Sequence, residues 1–223
     1  MKVILTGTTG YVGEGVLLAL LDDERIEQVL SVGRRPCGHT HPKLKEYIVS
    51  DLLTLQAGDP QLAGYDVCFF IAGITSVGTS ADTYRVISHD IPVHFASILP
   101  HKDQMTFIYL SGAGTSDKGR LLWQQVKSST ERETQAMGFA HAYGWRPMFM
   151  RPYKGQVNHQ VKAQQAVLVL YPLLRLLGQI CTMTEMVNAM YNVTTQAYPK
   201  SNLEARDIIH YGKQNHAEMI VRS

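Results

Sequence analysis

Short apolar runs alternate with helical patterns through the first two-thirds of the 223-residue chain. One face of a helix is marked by apolar residues at three- and four-residue steps, namely Val16, Leu17, Leu20 and Leu21. The run Val67–Ala72 is instead continuous, which is typical of parallel strands covered on both faces. Strands are predicted at Lys2–Leu5, Gln28–Gly33, Glu46–Val49, Tyr65–Ala72, Thr106–Leu110 and Met148–Met150, and further helices at Ala81–Leu99, kinked by Pro92, and Arg120–Met137. This alternation predicts an α/β fold, a doubly wound parallel sheet with helices on both sides.

The last seventy residues have a looser pattern and predict a small helix-rich cap. Thr182 and Glu185 have the spacing of a capping box at the start of a helix. We therefore divide the chain into a core at 1–152 and a C-terminal, substrate-side cap at 153–223 that packs on the same domain.

The longest apolar stretch, Ala166–Ile180, is interrupted by Pro172 and Arg175. It is shorter than the ~20 residues that a membrane-spanning helix needs. We interpret it as a core or interface helix and expect no membrane partner.

Three glycines connect the first strand to the first helix, at Gly7, Gly10 and Gly13. Gly7 permits a tight exit from the strand, Gly10 lets the backbone approach a pyrophosphate, and Gly13 lets the helix pack closely. A phosphate would lie on the free N–H groups of the helix N-terminus. The glycine turn therefore predicts a nucleotide site, the alternative being an ordinary strand-to-helix connection.

The end of the second strand indicates which dinucleotide would bind. An acidic residue there would bind the ribose hydroxyls of NAD, whereas this chain has Arg34 and Arg35. Two guanidinium groups favour the 2′-phosphate of NADP(H), so NAD(H) is the less favoured cofactor. The alternative is a pair of solvated arginines. Asp51 is a candidate acceptor for the adenine amino group, and Gly73 would let the backbone pass near the cofactor.

Composition bounds the remaining classes of function. Hydrophobic residues make up 45% of the chain and charged residues 18%, with a net charge of +2, which indicates neither disorder nor a nucleic-acid-binding surface. Three widely spaced cysteines, Cys37, Cys68 and Cys181, cannot form a complete disulfide set, so we expect a reducing compartment. The N-terminus leads directly into a strand without a secretion signal, which predicts a cytoplasmic protein.

Several segments carry, in their order along the chain, a resemblance to a known family: Thr6–Gly13, Gly33–Arg35, Ser111–Gly114, Val126–Lys127 and Met150–Pro152. Together they resemble the atypical and extended short-chain dehydrogenase/reductases, especially the small NAD(P)-binding members. The resemblance covers residues 1–152 and, more weakly, Leu203–Ile208. The cofactor-binding residues predicted on this basis are Gly7, Thr9, Gly10, Tyr11, Val12, Gly13, Arg34, Arg35, Asp51, Leu52, Ala72, Gly73 and Lys127.

The resemblance also implies a catalytic group, which this chain alters. In that family a Ser after the fifth strand polarises the substrate carbonyl, and a Tyr four residues before a Lys transfers the proton. Here Ser111 and Lys127 are present, but Trp123 takes the Tyr position. An indole N–H donates a hydrogen bond but cannot exchange a proton near neutral pH. Trp123 would orient a carbonyl or pack over the nicotinamide, and Tyr153 is a second candidate proton donor.

No metal is expected. His39 and His41 have a spacing that suits a metal, but no third ligand lies nearby in sequence, and His89 and Asp90 are expected on a solvated helix face.

These observations predict an NADP(H)-binding oxidoreductase-like protein that transfers hydride to a small carbonyl, double bond or quinone. The alternative is a dinucleotide-binding sensor or regulator that lost turnover with its tyrosine. A third hypothesis, epimerisation of nucleotide-sugars, needs a larger substrate domain and the missing Tyr. The expected partner is a small-molecule substrate or none, and a homodimer is compatible with the sequence.

Overall fold

The computed structural model describes residues 1–157 and 171–214. Its strands are β1 (Lys2–Thr6), β2 (Gln28–Gly33), β3 (Leu44–Ile48), β4 (Val67–Phe70), β5 (Thr106–Leu110), β6 (His141–Arg146), β7 (Phe149–Arg151), β8 (Ile180–Thr182) and β9 (Asn202–Glu204). Its helices are α1 (Tyr11–Asp22), α2 (Ala81–Arg85), α3 (Ile91–Ile98), α4 (Leu122–Gln135), α5 (Tyr171–Leu176), α6 (Met183–Thr195) and α7 (Ala205–Lys213). A π turn (Val86–Asp90) joins α2 to α3, and short 3-10 turns lie at Leu52–Thr54, Pro60–Leu62 and Lys102–Gln104.

Seven parallel strands form the central sheet in the order β3-β2-β1-β4-β5-β6-β9. The strand order reverses between β1 and β4, because the chain first builds outward to β3 and then returns to the other side of β1. The carboxyl ends of strands at such a reversal form the crevice where open α/β sheets bind ligands. The predicted doubly wound α/β fold is confirmed.

The core lies in two layers, one on each face of the sheet. On one face Leu5 and Phe69 pack with apolar residues of α1, α6 and α7. On the other face Ile4 and Phe70 pack with α3 and with Leu52, which is next to the predicted adenine acceptor Asp51. Alternate residues of β1 and β4 point to opposite layers, which explains why both strands read as continuous apolar runs.

The sixth strand was predicted wrongly. Phe149–Arg151 is a strand, but it pairs with β8 in a separate two-stranded sheet, whereas the sixth strand of the central sheet is His141–Arg146. Its buried residues Tyr143 and Trp145 are separated by Gly144 and flanked by the partly exposed Ala142 and Arg146, so no long apolar run marks it. A Cβ on Gly144 would lie 2.7 Å from the Glu131 side chain, which gives the glycine a packing role.

The C-terminal part packs on the sheet as well as on α1. β9 pairs with β6, and Met186 and Leu203 are fully buried in the same layer as α1. The predicted capping box is present, since Thr182 accepts from Glu185 N and the Glu185 carboxylate accepts from Thr182 N. The division at residue 152 stays a prediction.

The predicted apolar stretch 166–180 is described only from residue 171 onward, and residues 166–170 lie outside the described residues. In the described part, α5 buries none of its residues, and Leu173 and Leu176 are exposed, which disagrees with a core helix and leaves the interface helix as a prediction. Across residues 1–157 and 171–214, no helix is long and apolar enough to span a membrane.

Candidate functional site

The glycine turn is compact for reasons that the backbone shows directly. Gly7 has a φ of 75°, and a Cβ there would lie 2.8 Å from Ala72 N. A Cβ on Gly13 would lie 2.0 Å from the carbonyl oxygen of Gly7. Positions 7 and 13 therefore require glycine, because a side chain at either one would prevent β1, β4 and α1 from packing this closely.

Gly10 differs from its two neighbours because its backbone does not require glycine. Its φ is −98°, its N–H donates to Gly7 O at 2.9 Å, and it is exposed together with Thr9. No side chain in the described part of the chain caps α1 at Gly10. The first N–H groups of α1, from Tyr11 and Val12 onward, therefore offer donors and a positive dipole end to an anion.

Hydroxyl groups join the turn to the neighbouring strands. Thr6 Oγ1 accepts from both Ile71 N and Ala72 N at 3.0 Å, which fixes the carboxyl end of β4 beside the turn. Buried Thr8 is hydrogen bonded to Ser31 of β2 at 2.7 Å. Ala72 is partly buried at this edge, and Gly73 beyond it is exposed.

Arg34 and Arg35 follow β2, and both are exposed. Within residues 1–157 and 171–214 neither guanidinium makes a salt bridge with a carboxylate. The loop beyond them is anchored, since Cys37 N donates to Glu46 Oε1 at 2.7 Å and His39 Nε2 lies 3.0 Å from the Glu14 carboxylate. The two arginines are thus held on a fixed loop with their charged ends in solvent.

Tyr11 and Asp51 use their side chains for the protein's own structure. Tyr11 donates its hydroxyl hydrogen to Met150 O at 2.7 Å, and burial raises the pKa of Tyr11 to about 12. Asp51 accepts from Leu53 N at 3.0 Å and begins the turn that contains buried Leu52. Their predicted contacts with a cofactor would therefore fall to the backbone of Tyr11 and to the remaining carboxylate oxygen of Asp51.

Ser111 lies at the carboxyl end of β5, two strands from the glycine turn, and is nearly buried. Its Oγ lies 2.9 Å from Thr115 Oγ1, and Thr115 in turn donates to Gly112 O at 2.8 Å. Because the only hydroxyl hydrogen of Thr115 goes to Gly112, the hydrogen between the two hydroxyls comes from Ser111. Ser111 must therefore leave Thr115 before it can donate to a substrate oxygen.

Lys127 reaches the same strand end from α4. Its Nζ donates to Leu110 O at 3.0 Å and to Ser111 O at 3.2 Å, and lies 5.2 Å from the centroid of the Tyr109 ring. Loss of solvation lowers the pKa of Lys127 to about 8, while the Glu131 carboxylate acts in the opposite direction. Lys127 Nζ therefore lies against the backbone of Ser111, while the catalytic roles that the family resemblance implies for the two residues stay predictions.

Trp123 lies one helical turn before Lys127 and is partly buried. Its indole packs on the loop after Ser111, where a Cβ on Gly114 would lie 3.5 Å from Cη2. Gln124 holds the same loop by donating to Gly114 O at 2.9 Å. Trp123 thus covers the Ser111 loop, and its predicted role toward a substrate stays a prediction.

Tyr153 is not part of this group. Its hydroxyl lies 3.0 Å from Asp22 Oδ2 at the far end of α1, about 18 Å along that helix from the glycine turn. The sequence placed it near the site because β7 was taken for a strand of the central sheet.

The three histidines considered in the sequence, His39, His41 and His89, bind side chains and backbone atoms of the protein. His41 Nδ1 accepts from Lys43 N, and His39 is bound to Glu14. His89 bridges Asp90 and Glu133, at 2.8 and 2.9 Å, which places it in a cluster on the helices and not on a simple solvated face. Among the described residues no group of three or more His, Cys, Asp or Glu side chains is arranged to hold a metal ion.

Sequence reasoning missed three residues that shape these regions. Thr115 controls the Ser111 hydroxyl, Tyr109 packs under the Lys127 ammonium, and buried Glu14 binds both His39 and Val157 N. A glutamate directly after a glycine turn is unusual enough to suggest a buried partner. The other two contacts leave no signal in residue spacing.

No family model matches the chain. Among curated proteins, the mitochondrial protein FMP52 of Chaetomium globosum is 28% identical over 165 residues, which cover 70% of this chain and 69% of that protein. The mitochondrial protein fmp52-1 of Aspergillus terreus is 26% identical over 152 residues, covering 66% and 65%. Leucinostatins biosynthesis cluster protein T of Purpureocillium lilacinum is 28% identical over 137 residues, covering 60% of this chain and 51% of that protein.

Solved structures show the fold more broadly. MoeE5, in complex with UDP-glucuronic acid and NAD, aligns with 92% of this chain and over 75% of its own length, with a TM-score of 0.63 and 16% identity. UDP-glucuronic acid 4-epimerase from Bacillus cereus, in complex with NAD, aligns with 92% of this chain and over 78% of its own length, with a TM-score of 0.65 and 12% identity. At these identities the likeness establishes a Rossmann-like fold of the kind that binds NAD in those two proteins.

The comparison corrects the predicted location. The relatives from Chaetomium and Aspergillus are named as mitochondrial proteins, so the prediction of a cytoplasmic protein is wrong. The argument from the N-terminus failed because it tested only for a secretion signal.

Proposed function

We propose that this chain binds NADP(H) and uses it to reduce a small acceptor such as a carbonyl compound. The observation that carries the proposal is the pairing of an uncapped α1 N-terminus with two exposed arginines on the adjoining strand end. α1 begins at the carboxyl end of β1, where the strand order reverses, and the arginines follow β2, which is the neighbour of β1. A nicotinamide dinucleotide has its pyrophosphate and adenosine ribose at these two places in folds of this kind.

The residues present fit such a cofactor. A pyrophosphate would accept from the N–H groups at the start of α1, and the exposed surface at Gly10 leaves room for its approach. Gly7 and Gly13 keep the turn tight enough for that surface to exist. Leu52, Ala72 and Gly73 would contribute backbone and apolar contacts along the crevice.

The preference for NADP(H) is proposed from charge. Arg34 and Arg35 have forked donors that match a phosphate, and no carboxylate among the described residues neutralises them. A ribose 2′-phosphate would pair with both. NAD(H), which lacks this phosphate, would gain nothing from them.

The chemistry would take place at the end of β5. The bound dinucleotide would supply a hydride, while Ser111 and Lys127 would hold and protonate the acceptor oxygen. Lys127 already has an ammonium group fixed at this strand end by two carbonyl oxygens. Trp123 would cover the loop that contains Ser111.

A second candidate function is a dinucleotide-responsive regulator without turnover. Two observations favour it: Trp123 cannot transfer a proton, and Thr115 engages the Ser111 hydroxyl. Epimerisation of a nucleotide-sugar, the chemistry named for UDP-glucuronic acid 4-epimerase, is not proposed because the tyrosine position holds Trp123.

Isothermal titration calorimetry with NADPH and NADH tests the proposal. We expect NADPH to bind at least tenfold more tightly than NADH, because one charge-assisted contact is worth about 1.5–3 kcal/mol. Consumption of NADPH with a panel of quinones and α-dicarbonyls then separates the reductase from the regulator. Equal affinity for the two cofactors would contradict the assignment to NADP(H).

A further inference from the structure

The unexplained part of the proposed reduction is the source of the proton. Trp123 cannot supply it, Tyr153 lies at the far end of α1, and the Ser111 hydrogen is directed to Thr115. Of the ionisable groups described at this end of β5, Tyr109 gives its hydroxyl hydrogen to Ser88 O, which leaves Lys127 as the candidate. It donates hydrogen bonds to two backbone carbonyl oxygens, whereas a lysine in a salt bridge donates to a carboxylate.

An ammonium group has three N–H donors, and the structure assigns two of those of Lys127 to Leu110 O and Ser111 O. A neutral amine has two N–H groups, so the same two carbonyl oxygens satisfy it completely. The end of β5 therefore pairs both N–H groups of the neutral amine, and two of the three N–H groups of the ammonium form. A salt-bridged lysine would instead lose its partner on deprotonation.

We propose that Lys127 is the proton donor of this reduction, giving its third ammonium proton to the acceptor oxygen while its other two N–H groups stay on Leu110 O and Ser111 O. The inference rests on the proposed function. The acceptor's carbonyl carbon gains a hydride, the electron pair of the C=O π bond moves to oxygen, and that oxygen takes the proton from Nζ. The products are an alcohol, the oxidised dinucleotide and a neutral Lys127 amine, which then regains a proton from water.

The surroundings of Lys127 suit this role. Burial lowers the pKa of Lys127 to about 8, and a general acid works best when its pKa is near the operating pH. The charged and titratable groups around it are Tyr109 on β5 and Glu131 on α4, the latter paired with Arg146 on β6 at 2.5 and 2.9 Å. Because Arg146 neutralises Glu131, the carboxylate only partly restores the charged form of Lys127.

Lys127→Arg is the decisive variant, because a guanidinium keeps the positive charge but does not release a proton. We expect its affinity for NADPH, measured by calorimetry, to stay within about threefold of the unmodified protein. Its turnover should fall by roughly 10²-fold or more, the usual contribution of general acid catalysis. Lys45→Arg, on the exposed face of β3, is the matched control and should change neither quantity.

Two measurements on the unmodified protein give independent readings. Turnover should be constant at low pH and fall about tenfold per pH unit above pH 8, because the protonated form is the reactant. Carbon NMR of labelled lysine ε-carbons should show one residue titrating near pH 8 and not near 10.5, and that signal should be missing in Lys127→Arg.

Each other outcome overturns a defined statement. Retained turnover in Lys127→Arg, or a Lys127 signal that titrates above pH 10, would overturn the assignment of the proton donor. So would a protein that binds NADPH but reduces no member of the acceptor panel, although cofactor binding would then stand. Absence of NADPH binding in the unmodified protein would overturn the proposed function itself.

Discussion

Two regions of the molecule differ in whether their polar groups already have partners within the protein. One is the glycine turn with Arg34 and Arg35, and the other is the end of β5 with Ser111 and Lys127. At the glycine turn the N-terminus of α1 has no side-chain cap, and both guanidinium groups extend into solvent. At the end of β5 the Ser111 hydroxyl and two of the three Lys127 donors are bound within the protein. The first region has donors ready for an external anion, and the second has to release or share what it already holds.

Because of this difference, substitutions in the two regions should affect ligand affinity and folding stability differently. Exposed groups without protein partners contribute little to folding, so substitutions there should change ligand binding alone. Groups that are buried and hydrogen bonded contribute to folding, so substitutions at the end of β5 should lower stability as well. The predictions below test that separation.

The largest effect is expected from Gly10→Val. The φ of −98° at Gly10 permits a side chain, although its Cβ would lie 3.3 Å from Gly7 O, and branched carbons would project where a pyrophosphate has to approach. We expect at least a 100-fold loss of NADPH affinity by calorimetry, with a thermal unfolding midpoint close to that of the unmodified protein. Gly10→Ala, which adds only one carbon, should lose less NADPH affinity. Normal NADPH binding by the Val variant would place the phosphate elsewhere.

The double variant Arg34→Ala/Arg35→Ala should have the next largest effect. Loss of the charge-assisted contacts should cost on the order of 2 kcal/mol, or about 30-fold in NADPH affinity. NADH affinity should not change, and the free energy of unfolding should stay within about 0.5 kcal/mol. An equal loss for both cofactors would show that the arginines act through the fold and not through a 2′-phosphate.

Thr115→Val tests the opposite region. It removes the hydroxyl that binds Ser111 and Gly112 O in a nearly buried position. The expected cost is about 1–2 kcal/mol of stability, seen as a fall of roughly 2–8 °C in Tm, with NADPH affinity unchanged. Thr115→Ser keeps the hydroxyl and serves as its control. A Val variant with unaltered Tm would contradict the view that this region is stabilised by its internal hydrogen bonds.

The smallest effect is expected between Trp123→Tyr and Trp123→Phe, whose turnover we compare. Both variants remove the indole from the Gly114 loop, but only the first adds a hydroxyl. If Lys127 already donates the proton, their turnover with quinones should agree within about threefold. A gain of 10² or more in the Tyr variant alone would return the donor role to that helix position.

The sequence predicted most of the sheet because β1, β2, β4 and β5 are buried on both faces and read as apolar runs. It did not predict β6, whose burial depends on Gly144 fitting against Glu131 and not on an apolar run. The pairing of Ser111 with Lys127 came from the family resemblance, and in the structure Lys127 Nζ lies 3.2 Å from Ser111 O. The Ser111 to Thr115 bond and the carbonyl partners of Lys127 depend on side-chain rotation, which residue spacing does not report.

The π turn at Val86–Asp90 determines how this chain tolerates insertions and deletions. Pro92, four residues after Ser88, has no N–H to donate, and Ser88 O accepts instead from Tyr109 on β5 and Thr130 on α4 at 2.8 Å each. The turn holds about one residue more than regular α winding, so deleting one residue here would restore regular winding and leave α3 in phase. Phe95 and Ile98 would stay on the sheet, and the cost of the deletion would fall on the hydrogen bonds that Tyr109 and Thr130 donate to Ser88 O.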